Sequence, residues 1–227
     1  MSIYSLKQGL GDLIMELDVK HNRNEQPDSL LTGLSDLDNM VCGIKPGEII
    51  LIAARPCIGK TSLALNIVQN NLPTTNRATI FFSLRESTLN ITTRLCASFG
   101  GIPFRQIQVC SDSFIADFSP QLQNMVRKMK DLPLYIDDTK HINCNHIETV
   151  IESVKQLHSQ NLPSDRNRAL DSPFPLLIVI DDIQLLFGDQ SEEQQRIGLS
   201  SFLTELKMLA RLYHCPIILT SQAALNI

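Results

Sequence analysis

Hydrophobic positions recur along this chain at two spacings, and the change from one to the other marks its elements. Ile3, Leu6, Leu10, Leu13, Ile14 and Leu17 follow a helical period, after which Lys20 to Ser29 turns polar around Pro27. That pattern predicts a helical arm and linker over residues 1–30. From Leu31 onward, short apolar runs take over: Glu48 to Ala53, Ala78 to Leu84, Leu134 to Asp137, Leu176 to Ile180 and Pro216 to Thr220. Runs of this length and composition suit strands buried on both faces of a parallel sheet. Helical periods separate them: Leu63, Ala64, Ile67, Val68; Ile91, Leu95, Phe99; Leu122, Met125, Val126, Met129; and Ile147, Val150, Ile151, Val154, Leu157. The most regular period runs through Leu199, Phe202, Leu203, Leu206, Ala210 and Tyr213. Strands alternating with helices predict a three-layer α/β domain over residues 31–227, with a mainly parallel sheet and its site at the carboxyl ends of the strands. Leu162 to Pro175, with three prolines, reads as a surface loop.

Composition narrows the class without changing this plan. Hydrophobic residues make up 43% and charged residues 19% of 227 positions, so a packed core is expected rather than disorder. A net charge of −4 gives no bulk attraction to nucleic acid, and any phosphate contact has to be local. The six cysteines, at 42, 57, 96, 110, 144 and 215, form no C-x-x-C pair, which suits reduced thiols in a cytoplasmic protein. Met1 to Leu10 lacks the apolar core of a signal peptide, and no run approaches a membrane span.

The chemistry concentrates where the first apolar run meets the first helix. Ala54-Arg55-Pro56-Cys57-Ile58-Gly59-Lys60-Thr61, followed by Ser62, reads as a phosphate-binding loop of the G-x-x-x-x-G-K-[ST] kind, with Ala54 where the first glycine is usual. Backbone N–H groups of such a loop point at a β-phosphate, the lysine reaches the β/γ oxygens, and the threonine hydroxyl ligates Mg²⁺. The fourth run ends in Asp181, a Walker B pattern whose carboxylate holds the Mg²⁺ shell. The fifth ends in Thr220-Ser221-Gln222, where a neutral amide either senses the γ-phosphate or orients an attacking water.

These blocks resemble the C-terminal motor domain of DnaB-type replicative DNA helicases. The likeness rests on Leu31-Thr32-Gly33-Leu34-Ser35-Asp36-Leu37-Asp38, on Gly43-Ile44-Lys45-Pro46-Gly47-Glu48, and on the Arg-Pro inside the phosphate loop. Phe81-Phe82-Ser83-Leu84, Leu134 to Thr139, Val179 to Leu185 and Ser221-Gln222 match further family blocks in the same order. The resemblance spans about residues 30 to 227. It implies a RecA-like fold, ATP and Mg²⁺ as cofactors, ATP hydrolysis coupled to unwinding, and a ring of subunits around single-stranded DNA. The arm sits where the family has a linker helix that docks on the adjacent subunit, although a helix folded back on its own domain fits the pattern equally well.

Three departures bear on activity. Arg85 occupies the position of the family's water-activating glutamate, and Glu86 follows it. A shift of one residue turns a side chain to the opposite face of a regular strand, but beyond the last ladder bond the backbone rotates freely, so Glu86 stays a candidate base. Losing a positioned base costs about 10²- to 10⁴-fold in rate. Arg85 itself either favours bound ATP by its charge or is a solvated strand-end cation. Second, no lysine or arginine follows Arg211, whereas the family continues to a basic finger worth about 10³- to 10⁵-fold in related phosphoryl transfer. The sequence is then part of a longer protein or a shortened relative, and the alternative function is a hydrolysis-deficient ATP-binding protein that assembles with or regulates a complete helicase. Third, the family's first DNA loop reads Phe187 to Arg196 here, with three acids against one arginine. Either Arg196 alone faces DNA, or Ser191 caps the following helix with Glu192 and Glu193 complementing its dipole. A primase-receiving domain is not carried over.

Two further features have bland alternatives. His141, Cys144 and His146 have metal-like chemistry, but a fourth ligand is lacking and the segment joins a strand to a helix. Cys57 lies inside the phosphate loop, where a helix N-terminus can activate a thiol or where a small side chain is simply accommodated.

Overall fold

The computed structural model describes residues 5–7, 10–11, 14–15, 29–75, 77–109, 112–161, 175–188 and 191–223. Most of the expected arm and linker, and loop positions 162–174, lie outside them. In chain order the elements are α1 (Ser35–Val41), β1 (Ile49–Ala54), α2 (Lys60–Thr75), β2 (Ala78–Ser83), α3 (Thr88–Gly100), α4 (Phe104–Val109), α5 (Asp112–Met129), β3 (Leu134–Asp137), α6 (Cys144–Asn161), β4 (Leu176–Asp181), a 3₁₀ turn (Ile183–Leu186), α7 (Glu192–Leu212) and β5 (Ile217–Gln222). All five expected strands form, displaced by no more than two residues at either end.

The sheet is parallel throughout, in the order β1-β5-β4-β2-β3. Parallel neighbours need crossovers over a face, and here the helices cover both faces. Period-2 alternation splits each central strand between two cores. Phe81, Leu177, Val179 and Ile218 pack against Ala64, Leu65 and Val68 of α2 and Ile91 and Leu95 of α3. Ile80, Phe82, Ile178, Ile180, Ile217 and Leu219 pack against Ile147 and Ile151 of α6 and Phe202 and Leu206 of α7. Only the interior strands meet the expectation of burial on both faces. β1 and β3 are sheet edges, with β3 half-buried and Leu51 of β1 54% exposed.

The segment ahead of β1 is locked to α2 by polar contacts that explain its composition. Asp38 accepts from Thr32 N at 2.6 Å, Thr32 Oγ1 at 2.7 Å and Gly33 N at 3.0 Å. Asn70 donates to Thr32 O at 2.9 Å and Asn71 to Leu31 O at 2.6 Å. Gly33 has φ +79°, and an added Cβ would meet the Asn70 amide at 2.2 Å, so glycine is required there. At the other end, Ser191 caps α7 as expected, but its reciprocal partner is Gln194.

Phe81→Ala removes a fully buried ring between β2 and α2 and is expected to cost about 3–5 kcal/mol in urea unfolding. A loss below about 1 kcal/mol contradicts this core assignment.

Candidate functional site

The strand order lines up one carboxyl edge. Ala54 of β1 pairs with Gln222 of β5, and Asp181 of β4 pairs with Ser83 of β2. Asp181 continues the alternation of Leu177 and Val179, and Thr220 that of Ile218, so both side chains face α2. The first turn of α2 carries Thr61, whose Oγ1 donates to Asp181 Oδ2 at 2.8 Å. Thr220 Oγ1 donates to Asp181 Oδ1. The carboxylate is thus held at both oxygens while only 1% exposed. Burial pushes its pKa above the usual aspartate range, the two hydroxyl donors pull it down, and the charges of Asp182 and Glu86 raise it further.

The loop between β1 and α2 closes the other side. Cys57, at φ 62°, and Gly59, at φ 101°, turn the backbone so that the chain doubles back into the helix. A Cβ at Gly59 would meet nothing within 4 Å, so that glycine serves the backbone angle and not a close contact. Lys60 Nζ donates to the carbonyls of Ala54 at 3.3 Å and Arg55 at 3.4 Å. Pro56, Cys57, Gly59, Lys60, Thr61, Ser62, Arg85, Arg94, Asp181, Asp182 and Gln222 line one cleft of about 310 Å³. Ile58, 70% exposed, is not among the lining residues. Lysine, helix N-terminus and loop amides suit a polyphosphate, while a hydroxyl beside a carboxylate is a hard-oxygen donor set suited to Mg²⁺.

The region after β2 departs from the alternation argument. The strand ends at Ser83, Leu84 N donates to Asp181 O at 2.6 Å, and Ser83 Oγ bonds both N and O of Glu86 at 3.3 and 2.7 Å. Glu86 follows this bend and is not among the residues that line the cleft, although its charge contributes to raising the Asp181 pKa. The Glu86 carboxylate is taken by Arg94 Nε at 2.9 Å. Arg85 is half-exposed and also paired: its Nη2 donates to Asp182 Oδ2 at 3.0 Å, and the Asp182 side chain is 2% exposed. Gln222 lines the cleft, with its carbonyl accepting from Gln184 Nε2.

Sequence reasoning missed Arg94 and Thr220. Arg94 reads as the polar side of an amphipathic helix, and Thr220 as an ordinary strand residue; only the adjacency of β5 to β4 gives it a partner. The His141, Cys144 and His146 cluster disperses. His146 pairs with Asp137 at 2.7 Å, Cys144 is buried with its thiol aimed at Phe202 O at 3.9 Å and its pKa pushed up to about 12 by burial, and His141 is exposed.

Residues 29–226 match the family model described as DnaB-like helicase C terminal domain. A probable replicative DNA helicase of Guillardia theta is 28% identical over 227 residues, which are 100% of this chain and 35% of that protein. The replicative DNA helicase DnaB of Geobacillus stearothermophilus is 29% identical over 212 residues, 93% of this chain and 43% of its own length. The chain therefore spans less than half of either relative. A solved DnaB-like replicative helicase superposes with a TM-score of 0.74 at 22% identity, covering 98% of this chain and 49% of that one, which establishes a common fold. No helix among the described residues is long and apolar enough to cross a membrane.

The buried Asp181 carboxyl makes a signed pH prediction. Its pKa is raised on folding, so the unfolded chain loses that proton at lower pH and the folded chain loses stability as pH climbs through the raised value. Asp181→Asn is expected to melt increasingly above wild type across that window, then keep a constant lead. A melting difference that stays flat from about pH 3 to about pH 8 contradicts it.

Proposed function

The chain belongs to the DnaB-like helicase C-terminal domain family, and from that premise we propose that its cleft binds ATP with Mg²⁺ as the motor site of a replicative DNA helicase. The observation that carries this reading is the 2.8 Å contact between Thr61 Oγ1 and Asp181 Oδ2 in the same cleft as Lys60. In this reading the loop from Ala54 to Ser62 cradles the phosphates, and Lys60 exchanges its two carbonyl partners for phosphate oxygens. Thr61 Oγ1 and Asp181 are the groups that would hold Mg²⁺, which when bound neutralises charge on the β- and γ-phosphates. Gln222, at the tip of β5, reads the γ-phosphate, and Glu86, if released by Arg94, is the carboxylate that would orient water.

The division into a helical arm over residues 1–30 and an ATPase core over 31–227 belongs to the same proposal, as does assembly into a cytoplasmic ring around single-stranded DNA. Support for assembly comes from the arm, where Leu6, Leu10, Ile14 and Met15 carry helical backbone with 80, 49, 60 and 72% of their surfaces exposed. Apolar side chains left uncovered in a row suit burial against a second copy.

A second reading is favoured by a specific observation: the two ion pairs beyond β2. With Arg85 in the glutamate position and Glu86 engaged by Arg94, neither residue at the tip of that strand offers a free carboxylate to accept a proton from water. The chain would then bind ATP, turn it over slowly, and assemble with or regulate a complete helicase.

Phosphate release with and without single-stranded DNA separates the two. Lys60→Ala is expected to abolish nucleotide-dependent signals under either reading. For the slow-turnover reading, Arg85→Glu is expected to raise turnover by up to about 10²-fold. Wild-type release that DNA strongly stimulates supports the motor instead, and wild-type protein that binds no nucleotide sinks both.

A further inference from the structure

We propose that Arg85 binds the γ-phosphate, so that the cleft selects a nucleoside triphosphate over a diphosphate; this rests on the nucleotide reading above. The guanidinium lines the same cleft as Lys60, Thr61 and Asp181. It comes from the tip of β2, which lies beside β4 and farther from the phosphate loop than any other cleft-lining strand. A polyphosphate running from the loop along the strand ends meets Lys60 and Thr61 first and Arg85 last.

The side chain is held ready and not used up. Asp182 takes one Nη2 hydrogen at 3.0 Å, and its own carboxylate is buried and fixed, with Oδ1 accepting from Gln184 N at 3.3 Å. A guanidinium carries five N–H donors in a rigid fork, so the anchored group keeps donors for a second anion without leaving the first. Half of the Arg85 side chain remains exposed. Electrostatics gives the same direction. Asp181 and Asp182 line this end of the cleft, Glu86 lies beyond it against Arg94, and a γ-phosphate adds more negative charge. Arg85 and Arg94 are the cations set among those carboxylates, and Arg94 is committed through Nε to Glu86. A guanidinium has no acceptor and stays protonated, so at this position it grips the terminal phosphate without activating water.

Calorimetry with Mg²⁺ and either ADP or a non-hydrolysable ATP analogue tests this on wild type, Arg85→Gln and Arg85→Lys, with melting curves as the folding control. Arg85→Gln is expected to weaken the analogue by about 10- to 100-fold while moving ADP by less than about 3-fold. Arg85→Lys, which keeps a single charge for Asp182, is expected to retain part of the preference and shows that loss in the glutamine variant is not misfolding. If both variants bind the two ligands in the wild-type ratio, the proposal is overturned although the nucleotide reading stands. If wild type binds neither ligand, the nucleotide reading fails, and this proposal with it.

Discussion

The carboxylate of Asp181 is the point on which the structure turns. It ends a strand with every residue buried, and it places a carboxylate at the end of a largely apolar core. Burying such a group is costly unless its oxygens are satisfied, and here each takes a threonine hydroxyl, one from α2 and one from β5. That arrangement exists only because β4 lies between β5 and β2, with α2 packed across the same face. Sheet order, helix position and site chemistry are therefore one constraint. Burial raises the pKa of this carboxyl even though both of its oxygens accept hydroxyl hydrogens.

Around this centre the cleft carries two ion pairs. An arginine stands just past the tip of β2, and the glutamate that follows it is paired with a second arginine in α3. Each pair compensates a charge: Arg85 neutralises a buried Asp182, and Arg94 neutralises Glu86. The result is a pocket in which the charged groups beyond the tip of β2 are paired with one another.

Much of the fold is legible in the sequence because parallel strands buried on two faces cannot disguise themselves. Ala78 to Leu84 and Leu176 to Ile180 stand out as mainly apolar runs, and Lys60, Thr61 and Asp181 suggest phosphate and metal chemistry by their spacing. Edge strands are less transparent, since the exposure of Leu51 depends on what lies beside β1 and not on its own run. The alternation argument for Glu86 presumed a strand continuing past Ser83, but the Ser83 hydroxyl and the Asp181 carbonyl bend the chain first. Arg94 and Thr220 were hidden for a different reason. Their roles are pairwise across 8 and 39 positions of chain, and nothing local to either residue carries the partner's identity.

The most direct test of the central claim is a crystal structure grown with Mn²⁺ in place of Mg²⁺ and a non-hydrolysable ATP analogue, with the metal located by its anomalous signal. The account predicts one peak at about 2.1 Å from Thr61 Oγ1 with the Asp181 carboxylate in or one water beyond its shell. A metal bound elsewhere with the nucleotide, or a nucleotide seated away from Lys60, would contradict it.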